Sequence, residues 1–338
     1  MSKLIVKSLV LLFFAVVLCC VVYPAVLLGI GQTFFPFQAN GSLVKGPDGK
    51  VVGSLLIAQP FTKDEYFQPR PSTNSYDATA GSSSALAPSN YALRDRVARS
   101  IAPVAKYADG PKAGQPVAPD VETWFQKDML GGQPHIVAQW ADNHNTLAQN
   151  WDTADPKNDA YIVAWQNANP AIVTQWIKDN PATPKPAGKD LAVAFFEHFS
   201  SKYPGQFPSS ITAKDKNGKD QTIIGPVKTG SDIQTIFFES WREDHPDVKL
   251  QDVPGDMVTA SCSGLDPDIT LQNAEFQLDR VAGKWASDTK RDAAAVKTEI
   301  QAMLDKDATA PFGGLAGEKI INVLQVNLEL RTKYGAPQ

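Results

Sequence analysis

The chain has 338 residues, a formal charge of −4, 43% hydrophobic and 20% charged residues. That length allows one large or two medium domains, and the absence of a basic excess sets nucleic-acid binding aside. Cys19 and Cys20 lie in an apolar run, so Cys262 stands alone in the remainder and has no partner there for a disulfide.

From Ser8 to Val44 no charged residue occurs, and LVLLFFAVVLCCVVYPAVLLGI is almost wholly apolar. A helix needs about 20 such residues to cross a bilayer core. Lys3 and Lys7 precede the run and no Lys or Arg follows until Lys45. The positive-inside rule therefore predicts a cytoplasmic N-terminus (1–8), a membrane helix over 9–33 and an extracytoplasmic remainder. Pro24 is expected to kink that helix. A cleaved signal peptide fits poorly, because the run is too long and ends without a small-x-small site. A lipoprotein signal fails because Leu18 precedes Cys19.

SLVKGPDGKVVGSLLIAQ reads as a hairpin turned at Pro47-Asp48-Gly49. Residues 61–90, rich in Pro, Ser and Gly, read as an ordered loop. Leu93, Val97, Ile101 and Val104 then fall at helical spacing behind Ser89 or Asn90 as N-cap.

Composition shifts near 107. Six of the seven tryptophans and all four histidines lie between 121 and 245. VETWFQKD, IVAQWADN, IVAWQNANP and IVTQWIKDNP echo one another as short helices, each with a Trp to bury. PATPKPAGKD (181–190) reads as a linker, AKDKNGKD (213–220) as a solvated loop and TIIGPV as a short strand. This stretch, 107–249, is predicted to be an inserted, mainly helical subdomain.

Beyond it, 253–270 predicts a strand and then a small-residue turn at Ser261, Ser263, Gly264 and Asp266. Thr270 can cap a helix whose apolar stripe is Leu271, Ala274, Leu278 and Val281, with Asn273, Gln277 and Arg280 on another face. A second amphipathic helix carries Val296, Ile300, Met303 and Leu304. IINVLQVNLEL (320–330) is predicted to be a strand from the alternation of Val326, Leu328 and Leu330.

Chemistry is sparse. GGLAGEK (313–319) lacks the order of a phosphate-binding loop, and no Asp-Lys-Thr-Gly stretch supplies a phosphorylatable aspartate. No ion-filter loop is present. Ser42-x-x-Lys45 matches a serine-nucleophile tetrapeptide, but VKTG at 227–230, which has the letters of its Lys-Thr-Gly partner, is preceded by no Ser-Asp-Asn. His135, His144, His198 and His245 have no metal-ligand spacing and read as solvated or capping. The tryptophans could stack on a sugar or aromatic ligand, but beside Ile and Val they read first as core. The 261–266 turn could hold an anion; a tight turn is favoured.

YPAVLLGIGQTFFPFQANGSL (23–43) resembles the signature of the C subunit of the Kdp potassium-transporting ATPase. GSLLIAQPF (53–61), YFQPRPS (66–72), YDA (76–78) and APSNYAL (87–93) continue the resemblance. After the insert it resumes with VPGDMVTASCSGLDPDIT, AEFQLDRVA (274–282) and GEKIINVLQVNLEL (317–330), so that it covers 2–106 and 250–332. The chain departs from the family pattern at Ala80–Ala87, at Ala260-Ser-Cys-Ser-Gly264 and at Asp266-Pro-Asp-Ile-Thr270.

The resemblance implies an accessory, non-catalytic subunit of an ATP-driven potassium importer in the bacterial inner membrane. Its partners would be a channel-like potassium-translocating subunit, a P-type ATPase catalytic subunit and membrane lipid. It would hold no firmly bound cofactor, with ATP reached only through the complex. The family is described as a catalytic chaperone that raises ATP affinity, and its motif puts Gln277 at a nucleotide contact. The charge asymmetry conflicts with that role, since a domain outside the membrane cannot meet cytoplasmic ATP. Gln277 would then serve structure or an interface.

The same motifs mark Gln38, Asn40, Gly41, Ser42 and Arg70 as interface or structural positions, with Ser89, Asn90, Ser261, Ser263 and Gly264. Asp266, Arg280, Asn322 and Asn327 complete that set. After the anchor, Phe34, Phe35 and Phe37 can sit at the membrane interface, while Pro36 stops the helix. Gln38, Asn40 and Ser42 can bond the freed backbone groups, making a rigid corner. The predicted fold is α+β: one transmembrane helix, then a mixed α/β extracytoplasmic domain (34–106 and 250–332) carrying the helical insertion. An alternative is a membrane-anchored extracytoplasmic ligand-binding protein or enzyme using the inserted domain.

Overall fold

The structure is a computed structural model that describes residues 2–46, 49–83, 85–214, 216, 218–315 and 317–335. Pro47 and Asp48 of the expected hairpin turn, Asp215 and Asn217 of the expected solvated loop, and Ala316 of the glycine-rich stretch lie outside the described residues. The chain divides into two compact units: Met1–Ser84 with Pro254–Gln338, and Ala85–Val253. The expected insertion limits, 107 and 249, fall inside the second unit, which also takes in the helix Tyr91–Ile101.

The apolar run forms a continuous helical rod, Ser2–Val17 and Tyr23–Phe34 joined by a π turn at Leu18–Val22. It begins earlier than the expected residue 9, because nothing in the lysine-bearing first turns breaks a helix. Its 32 residues from Lys3 to Phe34 extend about 48 Å, and none of them is buried. The disturbance expected at Pro24 takes the form of the π turn. Pro24 has no N–H to give the carbonyl four residues back, and its ring crowds that carbonyl. The ladder widens just before it, with Tyr23 N–H bonded to the Leu18 carbonyl, five residues back.

In the first unit, Leu43–Lys45 pairs antiparallel with Val51–Ser54, the predicted hairpin. A second small ladder joins Asp268–Thr270 to Ile320–Asn322. Three helices, Leu271–Thr289, Ala293–Asp307 and Val323–Tyr334, share one core with the buried Phe67, Leu278, Val281, Trp285, Ile300 and Val326. Thr270 caps the first helix as predicted, accepting from Asn273 N–H at 3.1 Å. Asp292 does the same for the second, from Ala295 N–H at 2.8 Å.

Two expectations are overturned here. The start of 253–270 is a short helix, Gly255–Val258, and the strand comes later, at 268–270. The closing segment is a strand only to Asn322; from Val323 it is helix. Asn322 turns the chain by capping, its Oδ1 accepting from Gln325 N–H at 3.1 Å. The buried Val323, Val326, Asn327 and Leu330 follow helical spacing, a pattern masked by the alternation of Val326, Leu328 and Leu330.

The second unit is mainly helical around an aromatic core. The echoing segments form helices Ala118–Phe125, Ile136–Asn143, Pro156–Ala168 and Pro170–Asp179. Trp124, Trp140 and Trp165 are buried, while Trp176 is only partly so. Trp140 meets Phe196 edge-on at 5.2 Å, and Phe125 meets Phe237 at 4.5 Å. The expected short strand at TIIGPV is part of one arm of a hairpin with eight residues in each strand, Phe207–Lys214 with Asp220–Val227.

Asp152 is buried in this unit, and its Oδ1 has no partner among the described residues. Burial, then the nearby acids Asp159 and Asp190, push its carboxyl up to about 6. A native pKa above the unfolded one means that the folded form holds its proton more tightly. Stability is therefore greatest at low pH and is lost as pH rises from about 4 through 6. Asp152→Asn should melt with the wild type at pH 4 and higher than it at pH 7.5, as read by circular dichroism.

Candidate functional site

Four of the positions singled out by sequence, Arg70, Gln277, Arg280 and Asn327, meet at a segment that turns at 64–66 and then continues as irregular backbone belonging to no strand. Residues 64–70 run beside the helices Leu271–Thr289 and Val323–Tyr334, and side chains take the place of a neighbouring strand. The Glu65 carbonyl accepts from Trp285 Nε1 at 2.8 Å. Arg280 donates to the carbonyls of Asp64 (2.7 Å) and Tyr66 (3.1 Å). Asn327 binds both sides of Phe67: its Oδ1 accepts from the N–H at 2.9 Å and its Nδ2 donates to the carbonyl at 2.9 Å.

Gln277 repeats that two-handed contact on Gln68, accepting from the N–H at 2.8 Å and donating to the carbonyl at 3.1 Å. Buried backbone groups must be paired, and a planar amide offers the donor and acceptor that a strand would. This spacing puts Asn273, Gln277 and Arg280 on one helical face, as predicted. Gln277 Nε2 donates to Asn273 Oδ1 at 2.8 Å, and Arg280 donates to Gln277 Oε1 at 2.7 Å. Gln277 is 2% exposed and both ends of its amide are engaged. Burial lowers the Arg280 pKa, opposed by the charges of Asp64 and Glu65.

Two residues beyond Gln68, Arg70 pairs with Asp266 at 2.9 Å, and its carbonyl accepts from the Tyr76 hydroxyl at 2.9 Å. Asp266 belongs to the small-residue turn. There Gly264 N–H bonds the Ser261 carbonyl (3.2 Å), Leu265 N–H the Ser263 hydroxyl (3.1 Å) and Asp266 N–H the Ser261 hydroxyl (3.4 Å). These amides are spent within the turn, which favours a tight turn over an anion nest. Gly264 has φ +69°, and a Cβ there would lie 2.5 Å from Asn74 Oδ1. Gly264→Ala should therefore cost about 1–3 kcal/mol in urea unfolding, since both strain and collision act against it.

Asn322 ties three pieces together. Besides its cap, its Nδ2 donates to the Leu55 carbonyl (2.9 Å) and to Asp268 Oδ1 (3.0 Å). Burial, opposed by that Asn322 bond and reinforced by the Asp266 charge, raises the Asp268 pKa.

The corner after the anchor is built differently from the expectation. Asn40 does the bonding, from Nδ2 to the Pro36 carbonyl at 2.6 Å and in a mutual amide pair with Gln32 at 3.2 and 3.3 Å. Gln38 contributes its backbone carbonyl, to Gly41 N–H at 3.0 Å. Gly41 (φ +85°) and Ser42 (φ +49°) turn the chain, and the Ser54 hydroxyl donates to the Gly41 carbonyl at 2.7 Å. Pro36 opens a further short helix, Pro36–Ala39, so the rod ends at Phe34 and the chain coils once more. Ser89 and Asn90 lie in the second unit, where Asn90 caps Tyr91–Ile101 by accepting from Ala92 N–H at 3.0 Å.

Sequence reasoning missed Trp285 and Tyr76 as parts of this site. Trp285 extends the stripe through Leu278 and Val281 by one turn, and that periodicity was its available signal. The histidines serve packing and hydrogen bonding: His198 Nδ1 accepts from Trp165 Nε1 at 3.0 Å, and His144 stacks on Tyr91 at 4.1 Å. Among the described residues no group of three or more His, Cys, Asp or Glu side chains could hold a metal ion.

Fold and site together define a class: a chain with one N-terminal apolar helix and a discontinuous unit of helices and small ladders, fastened by side chains that read its own backbone. The profile of the KdpC family, described as K+-transporting ATPase, c chain, matches residues 5–141 and 223–332, and the chain belongs to that family. The unmatched interval, 142–222, is shorter than the expected insertion.

The chain is 46% identical over 111 residues to the potassium-transporting ATPase KdpC subunit of Pseudomonas syringae pv. tomato, covering 33% of this chain and 58% of the relative. It is 51% identical over 82 residues to the subunit of that name from Pseudomonas aeruginosa (24% and 45%). To that of Microcystis aeruginosa it is 45% identical over 94 residues (24% and 44%). The chain thus spans about half the length of the curated relatives it matches, from 44% to 58%.

Proposed function

We propose that this chain is an accessory subunit of an ATP-driven potassium importer. It would assemble and stabilise the complex and aid the coupling of ATP hydrolysis to potassium uptake. Its partners would be a channel-like translocating subunit and a P-type ATPase catalytic subunit, with lipid around the N-terminal helix. The observation that carries the reading is the family match across both halves of the discontinuous unit, supported by the relatives' names. Lys3 and Lys7 before the apolar helix support a cytoplasmic N-terminus and an extracytoplasmic remainder.

On this reading Gln277 is a structural residue. Its amide is buried and committed to Gln68, Asn273 and Arg280, which leaves nothing to offer a nucleotide without dismantling the clamp. ATP would be bound by the catalytic partner, and no cofactor would be held firmly by this chain.

The test is side-specific labelling of Lys216→Cys in intact cells, with Cys19, Cys20 and Cys262 replaced. The expected result is reaction with an impermeant maleimide from the extracytoplasmic side, and co-purification of two larger membrane subunits. Labelling only after lysis would reverse the orientation and return Gln277 to consideration as a nucleotide contact. Isolation of the chain without such subunits would sink the transporter role.

A further inference from the structure

The second unit contains a cleft that the transporter reading does not use. Two cavities, of about 390 and 440 Å³, both touch Leu147 and both lie against the helices Tyr91–Ile101 and Asn145–Ala154. Tyr91 and Asn145 line one cavity, while Asp95, Arg99, Asn150 and Trp151 line the other. The two therefore run end to end along both helices, over about 12 Å from Tyr91 to Arg99. Each is of ordinary ligand-site volume. Trp140, Ser210 and Asp232 also line the larger-walled end.

We propose that this cleft binds a neutral oligosaccharide of two or three pyranose rings. Beyond their first turns both long walls are helices whose backbone groups are paired internally, so recognition along most of the cleft falls to side chains. These are carboxylates, amides, hydroxyls and indoles, the mixture of donors and acceptors that vicinal hydroxyls need. Trp140 and Trp151 donate no indole hydrogen bond among the described residues, and the Asn150 amide and Ser210 hydroxyl likewise have no partner there. Trp151 is held against Phe195 at 5.9 Å and nearly parallel to it, a rigid aromatic wall of the kind sugar faces pack on.

Charge narrows the ligand. Asp95, Asp155 and Asp232 oppose the single guanidinium of Arg99 in the first cavity, so phosphates and carboxylates are repelled there. A simple cation site fits no better, because each carboxylate of the first cavity already has a partner. Asp95 pairs with Arg99 at 2.7 Å, Asp155 accepts from Lys157 N–H at 2.8 Å, and Asp232 accepts from the Ser209 hydroxyl.

The inference stands apart from the transporter assignment and is tested on the full chain in detergent by isothermal titration. The probes are chitotriose, cellotriose and maltotriose, with spermidine, ATP and an extended heptapeptide as competitors for the assignment. The expected result is saturable binding of at least one trisaccharide. Asn150→Ala with Ser210→Ala should weaken it about tenfold through two lost hydrogen bonds. Both side chains are exposed and bond nothing else, so circular dichroism should show the fold intact. No heat from any trisaccharide, binding of spermidine, ATP or peptide in their place, or sugar binding unaffected by the double variant would each overturn the proposal.

Discussion

Replacing Asn327 with Leu should bring the first unit close to global unfolding. Leu fills nearly the same volume but leaves the N–H and carbonyl of Phe67 without partners in a position that is 0% exposed. Each stranded buried group costs about 1–3 kcal/mol, so the pair costs about 2–6 kcal/mol against a total of about 5–15 for a typical domain. Trp285 is the only tryptophan of this unit, and its indole bonds the same segment. Its emission, isolated by difference against a Trp285→Phe chain, should report the loss as a lower urea midpoint. Asn327→Asp sets a buried carboxylate against the Phe67 carbonyl, so its midpoint should also lie below the wild type at pH 7 and recover as acid protonates it. If the leucine variant unfolds with the wild type, the segment is not held by this clamp. Gln277→Leu acts on the adjacent residue of the same strap, and the two substitutions together should cost less than the sum of each alone.

Phe14→Arg should detach the chain from the membrane fraction or abolish its assembly. Phe14 lies within the rod, with no charged residue from Ser8 to Val44 and no protein neighbour to bury it. An arginine at mid-membrane costs about 2.5–3.5 kcal/mol on insertion scales, roughly a hundredfold in the inserted fraction. The same change at Phe35, beyond the end of the rod, should be tolerated because a long side chain there reaches the headgroup layer. Carbonate extraction of membranes from cells carrying each variant separates the two outcomes. Normal retention of the Phe14→Arg chain would count against a spanning helix.

The parts of this molecule that could be read in advance are those whose cause is local. An uninterrupted apolar run, a capping Thr270 and the stripe through Ala274, Leu278 and Val281 each carry their own signal within a few residues. The tryptophan helices were legible for the same reason, although the long hairpin among them was seen only as one short strand. The closing helix was misread because β-branched and leucine residues at 326, 328 and 330 satisfy an alternating pattern, while the decisive residue was the cap, Asn322. The clamp is a different case. The family resemblance pointed to Gln277, Arg280, Asn322 and Asn327, yet their task depends on partners 209 to 267 residues away. No local periodicity encodes such pairings. Gln32, which bonds Asn40 at the corner, was overlooked beside Gln38 because either glutamine satisfies the sequence logic.

The clamp also fixes an order of events during synthesis. Phe67 leaves the ribosome early, but Asn327, which binds both of its backbone groups, lies 260 residues later. At about 5–20 residues per second, that interval lasts roughly 13–52 seconds. Gln277, Arg280 and Trp285 follow 209 to 220 residues after their partners in the strap, and only Asn327 pairs the two backbone groups of Phe67. The intervening 169 residues, Ala85 to Val253, make a compact unit of their own and can finish before the last helix exists. The first unit is therefore completed last, by its C-terminal helix. A ribosome stalled or a chain cleaved before Val323 would leave a fully made aromatic unit joined to a strap whose Phe67 has no closing helix to cover it, an open segment that proteases can reach.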